Sequence, residues 1–86
     1  MQKINSNLIL VDVRSPQEYE EGHLQNSINL PVYKLKDDYK KVLPNKEQEI
    51  IIYCKSGARS KKAVKILQEL GYQALYHLAN GLEGNQ

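Results

Sequence analysis

Four short apolar runs alternate with stretches of helical spacing along the chain. Leu8 to Val13 is continuous and rich in branched residues, the pattern of a strand buried on both faces. Ser15-Pro16 with Glu18 three positions beyond Ser15 then predicts a helix start, because it supplies an N-cap, a proline at the first helical position and the acid of a capping box. That helix runs to about Glu21 and is broken by Gly22-His23. Ser27 to Leu30 reads as a brief second strand stopped by Pro31. Val32, Leu35, Tyr39 and Val42 recur at helical spacing, with lysines and aspartates on the other face. After the polar loop Pro44 to Glu49, the unbroken run Ile50 to Tyr53 suits a central parallel strand. Ala63, Ile66, Leu67 and Leu70 predict a third helix with Gly71 at its C-terminal cap, and Ala74 to Leu78 a last strand.

Strands that alternate with helices over the whole length imply an α/β fold: a central, mostly parallel sheet of four to five strands, flanked by helices and joined by right-handed crossovers. With 86 residues and no repeat or linker, the expectation is a single domain over residues 1–86, one small enough to bury only about 60% of the surface of its unfolded chain. The apolar share of 41% and charged share of 26% are those of a globular chain rather than a disordered one. A formal net charge of +2, spread along the sequence, gives no reason to expect nucleic acid or membrane as a partner. No apolar run approaches the roughly 20 residues of a membrane span, and Met1 to Asn7 is polar rather than signal-like. The expected compartment is the cytoplasm, with an exported chain shorn of its signal as the alternative.

The lone cysteine, Cys54, excludes an intramolecular disulfide and a cysteine-rich metal cage. It is either a small core residue, the commonest fate of a free cysteine, or a reactive thiol. Its position decides for the second. Cys54 directly follows the most strand-like segment and precedes a helix, and in open parallel sheets the ligand crevice lies at the carboxyl ends of the strands. The arc Lys55-Ser56-Gly57-Ala58-Arg59 leads into a helix whose unpaired N–H groups carry about half a positive charge. Small residues at Ser56, Gly57 and Ala58 let successive N–H groups turn inward as a nest for an anion. Lys55 and Arg59 add formal charge, and together these features are expected to lower the thiol toward the roughly 3.5 to 7.5 range of activated cysteines.

The segment Cys54-Lys55-Ser56-Gly57-Ala58-Arg59-Ser60 resembles the active-site loop of single-domain rhodaneses. Leu10-Val11-Asp12-Val13-Arg14, Glu18-Tyr19, Gly22-His23-Leu24 and Ile28-Asn29-Leu30-Pro31 are similar to the same family's amino-terminal signature. Leu70-Gly71-Tyr72 and Asn80-Gly81-Leu82 extend the likeness over nearly the whole chain. The resemblance implies a rhodanese-like fold and a thiosulfate sulfurtransferase. Cys54 would attack a small anionic sulfur donor and carry the sulfur as a persulfide to cyanide or a thiol, a thioredoxin-like or other protein thiol among the candidates. The N–H groups of Lys55 to Ser60 would cradle the persulfide and Arg59 would orient the donor, with no metal or organic cofactor. A persulfide carrier or interaction module with little activity on free thiosulfate is the second implication. Related dual-specificity phosphatases and arsenate reductases place five residues between cysteine and arginine, whereas Cys54 and Arg59 enclose four. Asn26-Ser27 stands where the family often has Gly-Ala, and Asn80 where it often has glycine; asparagine tolerates positive φ, so both turns are expected to survive. The family's tryptophan after the last turn is missing, with Asn85 near its place.

Outside the loop the expectations are structural. His23 is expected to make a hydrogen bond within the fold rather than act as a base. Asp12 and Arg14 are expected to lock the loop through an ion pair rather than bind substrate. His77 carries no assigned role. Tyr53, Tyr72 and Tyr76 are expected at the core edge with wet hydroxyls. Lys34, Lys36, Lys40 and Lys41, interrupted by Asp37 and Asp38, suit a solvated helix face. Lys61 and Lys62 fall in the first turn of the third helix, where positive charge opposes the macrodipole. They serve either to draw in an anionic or acidic partner or simply for solubility.

Overall fold

The computed structural model describes residues 8–78 and 81–82. Within them the elements run β1 (Ile9–Asp12), α1 (Pro16–Glu21), β2 (Ile28–Asn29), a 3₁₀ turn (Val32–Lys34) continuing into α2 (Leu35–Val42), β3 (Ile50–Tyr53), α3 (Ala58–Glu69) and β4 (Leu75–His77). The four strands form one sheet in the order β2-β1-β3-β4, every neighbouring pair parallel. This is the expected α/β class, with four strands among the described residues. β3 covers the expected run Ile50 to Tyr53, whereas β1, β2 and β4 are each shorter by one residue at both ends, and the helix expected from Val32 opens with a 3₁₀ turn, Lys34 N–H donating to Pro31 O at 2.9 Å. Asn80, Asn85 and Met1 to Asn7 lie outside the described residues.

Local chemistry explains the element boundaries. Ser15 caps α1 through a complete capping box: Glu18 N–H donates to Ser15 Oγ at 3.2 Å, and Ser15 N–H donates to Glu18 Oε1 at 3.0 Å. At the far end of α3, Gly71 has a φ of 102°. Its N–H donates to Gln68 O, and the next N–H, of Tyr72, donates back to Leu67 O, both at 3.0 Å; this pair of bonds closes the helix as a left-handed glycine allows. Asn26 adopts a φ of 70°, so its turn survives the replacement of glycine.

Val11, Val13, Leu30, Leu35, Leu43, Ile50, Ile52, Ala63, Leu67 and Tyr72 form the core together with Cys54. The expected wet hydroxyls are corrected at two of three tyrosines. Tyr53 is wholly buried, its hydroxyl donating to Ser27 Oγ at 3.1 Å and accepting from Leu24 N–H at 3.0 Å. Tyr72 is also buried and donates to Leu43 O; only Tyr76 is exposed. A buried phenol must find a protein partner where water is excluded, and these two do.

The strand order has a functional consequence. From β1 the chain turns to one side, to β2, and from β3 to the other, to β4. The crevice between the carboxyl ends of β1 and β3 is therefore the switch point of the sheet, the place where open α/β sheets bind ligands. Cys54 follows β3 directly, and Val13 and Arg14 follow β1.

Candidate active site

Cys54 is 1% exposed, and its sulfur is the focus of the loop that follows. Gly57 N–H donates to Sγ at 3.0 Å and Ser60 N–H at 3.3 Å. The loop can turn its amides inward because Gly57 takes a φ of 102°, a left-handed conformation in which a side chain would be strained, and α3 starts at the next residue. Burial raises the Cys54 thiol. The N–H and hydroxyl of Ser60 and the N–H groups of Gly57 and Arg59 outweigh it, and the net effect holds the thiol below its ordinary value. Hydrogen bonds that favour the charged form oppose desolvation here, so the sulfur is built to carry negative charge.

Of the six residues expected in the cradle, three, Gly57, Arg59 and Ser60, have groups that act on the sulfur. Lys55, Ser56 and Ala58 form the curve of the loop and are exposed. Ser60 is fully buried and its hydroxyl donates to Gly57 O at 3.0 Å, tying the first turn of α3 to the loop.

Arg59 is turned to α1. Its Nη1 donates to Glu18 Oε1 at 2.7 Å and its Nη2 to Oε2 at 3.0 Å, a two-pronged pair in part-exposed surroundings. Arg59 N–H bonds favour the anion at Glu18, and with the Ser15 N–H they pull its carboxyl down to about 2. Glu18 therefore both caps α1 and holds the arginine of the loop. The Arg59 charge still acts on Cys54.

Asp12 and Arg14 form the ion pair expected of them. Arg14 Nε donates to Oδ1 at 3.0 Å and Nη2 to Oδ2 at 2.7 Å, while the Arg14 N–H reaches Oδ1 at 2.8 Å. Both residues are buried. Arg14 Nη2 also donates to Gly22 O at 2.6 Å, and its guanidinium lies 5.9 Å from the Tyr53 ring centre. The pair thus fastens the exit of β1 to the end of α1 and to β3. His23 is exposed rather than buried; its Nδ1–H donates to Tyr19 O at 2.7 Å and its ring stacks on Tyr19 at 3.7 Å, a role inside the α1 turn.

Three further residues border the site. Gly81, at a φ of +61°, lies so close behind the loop that an added Cβ would stand 2.5 Å from the carbonyl oxygens of both Cys54 and Lys55. Leu82 N–H donates to Cys54 O at 3.0 Å, so Gly81 and Leu82 support the cysteine from the back. His77, in β4, places Nδ1 3.5 Å from Ser60 Oγ. Among the described residues no group of three or more histidine, cysteine, aspartate or glutamate side chains is arranged to hold a metal ion, and no helix is long and apolar enough to cross a membrane.

The sequence as a whole matches a known family. The model of the rhodanese-like domain aligns with residues 1–86. The chain belongs to the rhodanese-like domain family. It is similar to the thiosulfate sulfurtransferase PspE of Escherichia coli (strain K12), 37% identical over 62 residues that make up 72% of this chain and 60% of that protein. It is also similar to the tRNA uridine(34) hydroxylase of Buchnera aphidicola subsp. Schizaphis graminum, 35% identical over 82 residues, 91% of this chain and 26% of that protein. The chain therefore spans less than two thirds of the length of these relatives, 60% of the first and 26% of the second. A solved structure described as rhodanese with anions from E. coli shares the fold at a TM-score of 0.80, with 34% identity and 88% of each chain covered. Relatives named as sulfurtransferases support membership of a sulfurtransferase family; the hydroxylases among them leave the reaction of any one member open.

Proposed function

We propose that this rhodanese-like domain is a thiosulfate-type sulfurtransferase with Cys54 as its nucleophile. The observation that carries the reading is the buried sulfur held by the N–H groups of Gly57 and Ser60, an arrangement that favours an anion at that point. In the first half-reaction the Cys54 thiolate attacks the outer sulfur of thiosulfate. The new bond joins Sγ to that sulfur, the sulfur–sulfur bond of thiosulfate breaks, and its electron pair leaves with sulfite. In the second, cyanide or a thiolate takes the outer sulfur and Sγ recovers the electron pair as thiolate. This is a two-step covalent exchange; it is balanced without an added oxidant or reductant. The N–H nest serves both states, because negative charge sits on Sγ in one and on the attached sulfur in the other. Lys55, Lys61 and Lys62, exposed around the start of α3, favour the approach of a dianion. A lone thiol that must stay free of adventitious disulfides suits a reducing compartment such as the cytoplasm.

The second reading is a persulfide carrier that exchanges sulfur with a dedicated protein and turns over free thiosulfate poorly. It is favoured by the Arg59 guanidinium, which Glu18 holds rather than leaving it for a donor. Intact mass after thiosulfate, then after cyanide, separates the two. Gain of one sulfur on the native chain but not on Cys54→Ser, lost as thiocyanate appears, is the enzyme's result. A reactive thiol that gains no sulfur from thiosulfate overturns the first reading in favour of the carrier.

A further inference from the structure

Ser60 is fully buried at the third position of α3, and its hydroxyl has more claims on it than it has protons. A serine hydroxyl owns one proton and two lone pairs. That proton is directed at Gly57 O, 3.0 Å away, and the N–H of the same residue donates to Cys54 Sγ at 3.3 Å. With the hydroxyl proton on Gly57 O, none remains for His77, whose Nδ1 lies 3.5 Å from Ser60 Oγ. The imidazole must be the donor in that contact, with Nδ1–H aimed at a lone pair of Oγ. This form exists both in the imidazolium and in one neutral tautomer, so the contact does not require a charged histidine.

The backbone explains why a histidine of β4 reaches the site. His77 pairs with Ile52 in the parallel register of β3 and β4, two residues before Cys54, and α3 returns over both strands, bringing Ser60 to the same level. The His77 side chain is half-buried there.

We propose that His77 is a positioning residue for Cys54 that acts through Ser60: by donating Nδ1–H to Oγ it helps hold in place the residue whose N–H donates to the sulfur at 3.3 Å. No proton changes owner. The hydroxyl keeps Gly57 O as its acceptor, and the donated bond polarises the O–H as linked hydrogen bonds do. A separation of 3.5 Å is long for this bond, and such contacts tighten when charge develops on the reacting atom. The inference rests on the sulfurtransferase reading only for the reaction that the chain of contacts serves.

The test is read on the thiol itself. The other ionisable groups acting on the sulfur come from separate elements: Arg59 of α3 acts on it directly, and Glu18 of α1 and Arg14 after β1 act on that guanidinium. From β3, the Tyr53 hydroxyl is committed to Ser27 and Leu24. All are common to the native chain and its His77 variants, so differences between them isolate the histidine. Ultraviolet thiolate absorbance titrated in His77→Phe is expected to give a Cys54 midpoint higher by roughly half a pH unit to one unit, the worth of one hydrogen bond. His77→Asn, whose amide N–H can stand where Nδ1–H stood, returns the midpoint to the native value. On a Ser60→Ala background His77→Phe adds no further shift. An unchanged midpoint in folded His77→Phe, or an equal shift without the Ser60 hydroxyl, overturns the proposal. If His77→Phe does not fold, His77→Val, with the branched side chain of a strand former, makes the same comparison. Because the midpoint needs no sulfur donor, a chain that shows the shift and takes no sulfur from thiosulfate refutes the enzymatic reading and leaves the role of His77 standing.

Discussion

Arg59 and Glu18 meet in a two-pronged ion pair, Nη1 to Oε1 at 2.7 Å and Nη2 to Oε2 at 3.0 Å, that joins the cysteine loop to the cap of α1. Glu18→Gln removes the charge and one prong while keeping the length of the side chain. The variant loses a capping-box acid and a part-exposed pair, which together are worth about 1 kcal/mol. A urea melt is expected to show that loss, and Ser15→Ala, which removes the cap hydroxyl, one of similar size, about 1 kcal/mol.

The same carboxylate gives the fold an acid-sensitive component. Arg59 and Ser15 lower the Glu18 carboxyl from an ordinary 4.5 to about 2. A folded value below the unfolded one means that the unfolded chain binds the proton first. The stabilisation is complete above pH 4.5 and is lost as the pH falls through about 2. Because 38% of the arginine side chain and 30% of the glutamate side chain are exposed, salt shrinks the effect. Melts from pH 5 to pH 2 in the native chain and in Glu18→Gln check it: the native stability falls more steeply, and high salt narrows the gap. Parallel curves would show that the pair contributes nothing to acid stability.

How much of this was legible in the sequence depends on distance along the chain. The capping box at Ser15 and Glu18, the Gly71 terminus and the placement of Cys54 between strand and helix rest on residues a few positions apart, and spacing alone identifies them. The Arg59–Glu18 pair spans 41 positions, so the basic residue of the loop reads as free until the fold turns it to α1. Tyr53 lies in an unbroken apolar run, and nothing local announces that Leu24 and Ser27 satisfy its hydroxyl. His77 looked like an ordinary strand residue because only the β3–β4 register and the return of α3 set it against Ser60. The cradle was legible as a loop but not amide by amide, since which N–H groups reach the sulfur follows from the turn at Gly57.

The buried pair of Asp12 and Arg14 is expected to be costly to break. Asp12 is wholly buried and Arg14 nearly so, and Asp12→Asn leaves a guanidinium without its counter-charge in surroundings that exclude water. Breaking a buried pair from one side costs roughly 3–5 kcal/mol, a large share of the stability of a domain of this size. Urea melts of Asp12→Asn and of the double variant Asp12→Leu/Arg14→Met check the assignment. The double variant, with no charge left to strand, is expected to be more stable than the single one; the reverse order would mean that Arg14 is sustained by Gly22 O alone.

Gly81 makes the sharpest prediction, because it couples the fold to the reacting residue by contact with backbone rather than with a pliable side chain. Its added Cβ would meet the carbonyl oxygens of Cys54 and Lys55 at 2.5 Å and the Lys55 carbonyl carbon at 2.6 Å, and its φ of +61° disfavours any L side chain. Neither carbonyl can rotate away freely, since Cys54 O accepts from Leu82 N–H and the next residues carry the N–H groups that hold the sulfur. Left-handed strain of about 1–2 kcal/mol and overpacking of about 1–3 kcal/mol act together in Gly81→Ala, so a loss of roughly 2–5 kcal/mol is expected in a thermal or urea melt. The loop is also expected to shift away from Gly81, loosening the bonds from Gly57 and Ser60 to Sγ. The thiol of the folded variant then alkylates with a higher pH midpoint than in the native chain. A variant with lowered stability but an unmoved midpoint would show that Gly81 supports the fold without shaping the sulfur site.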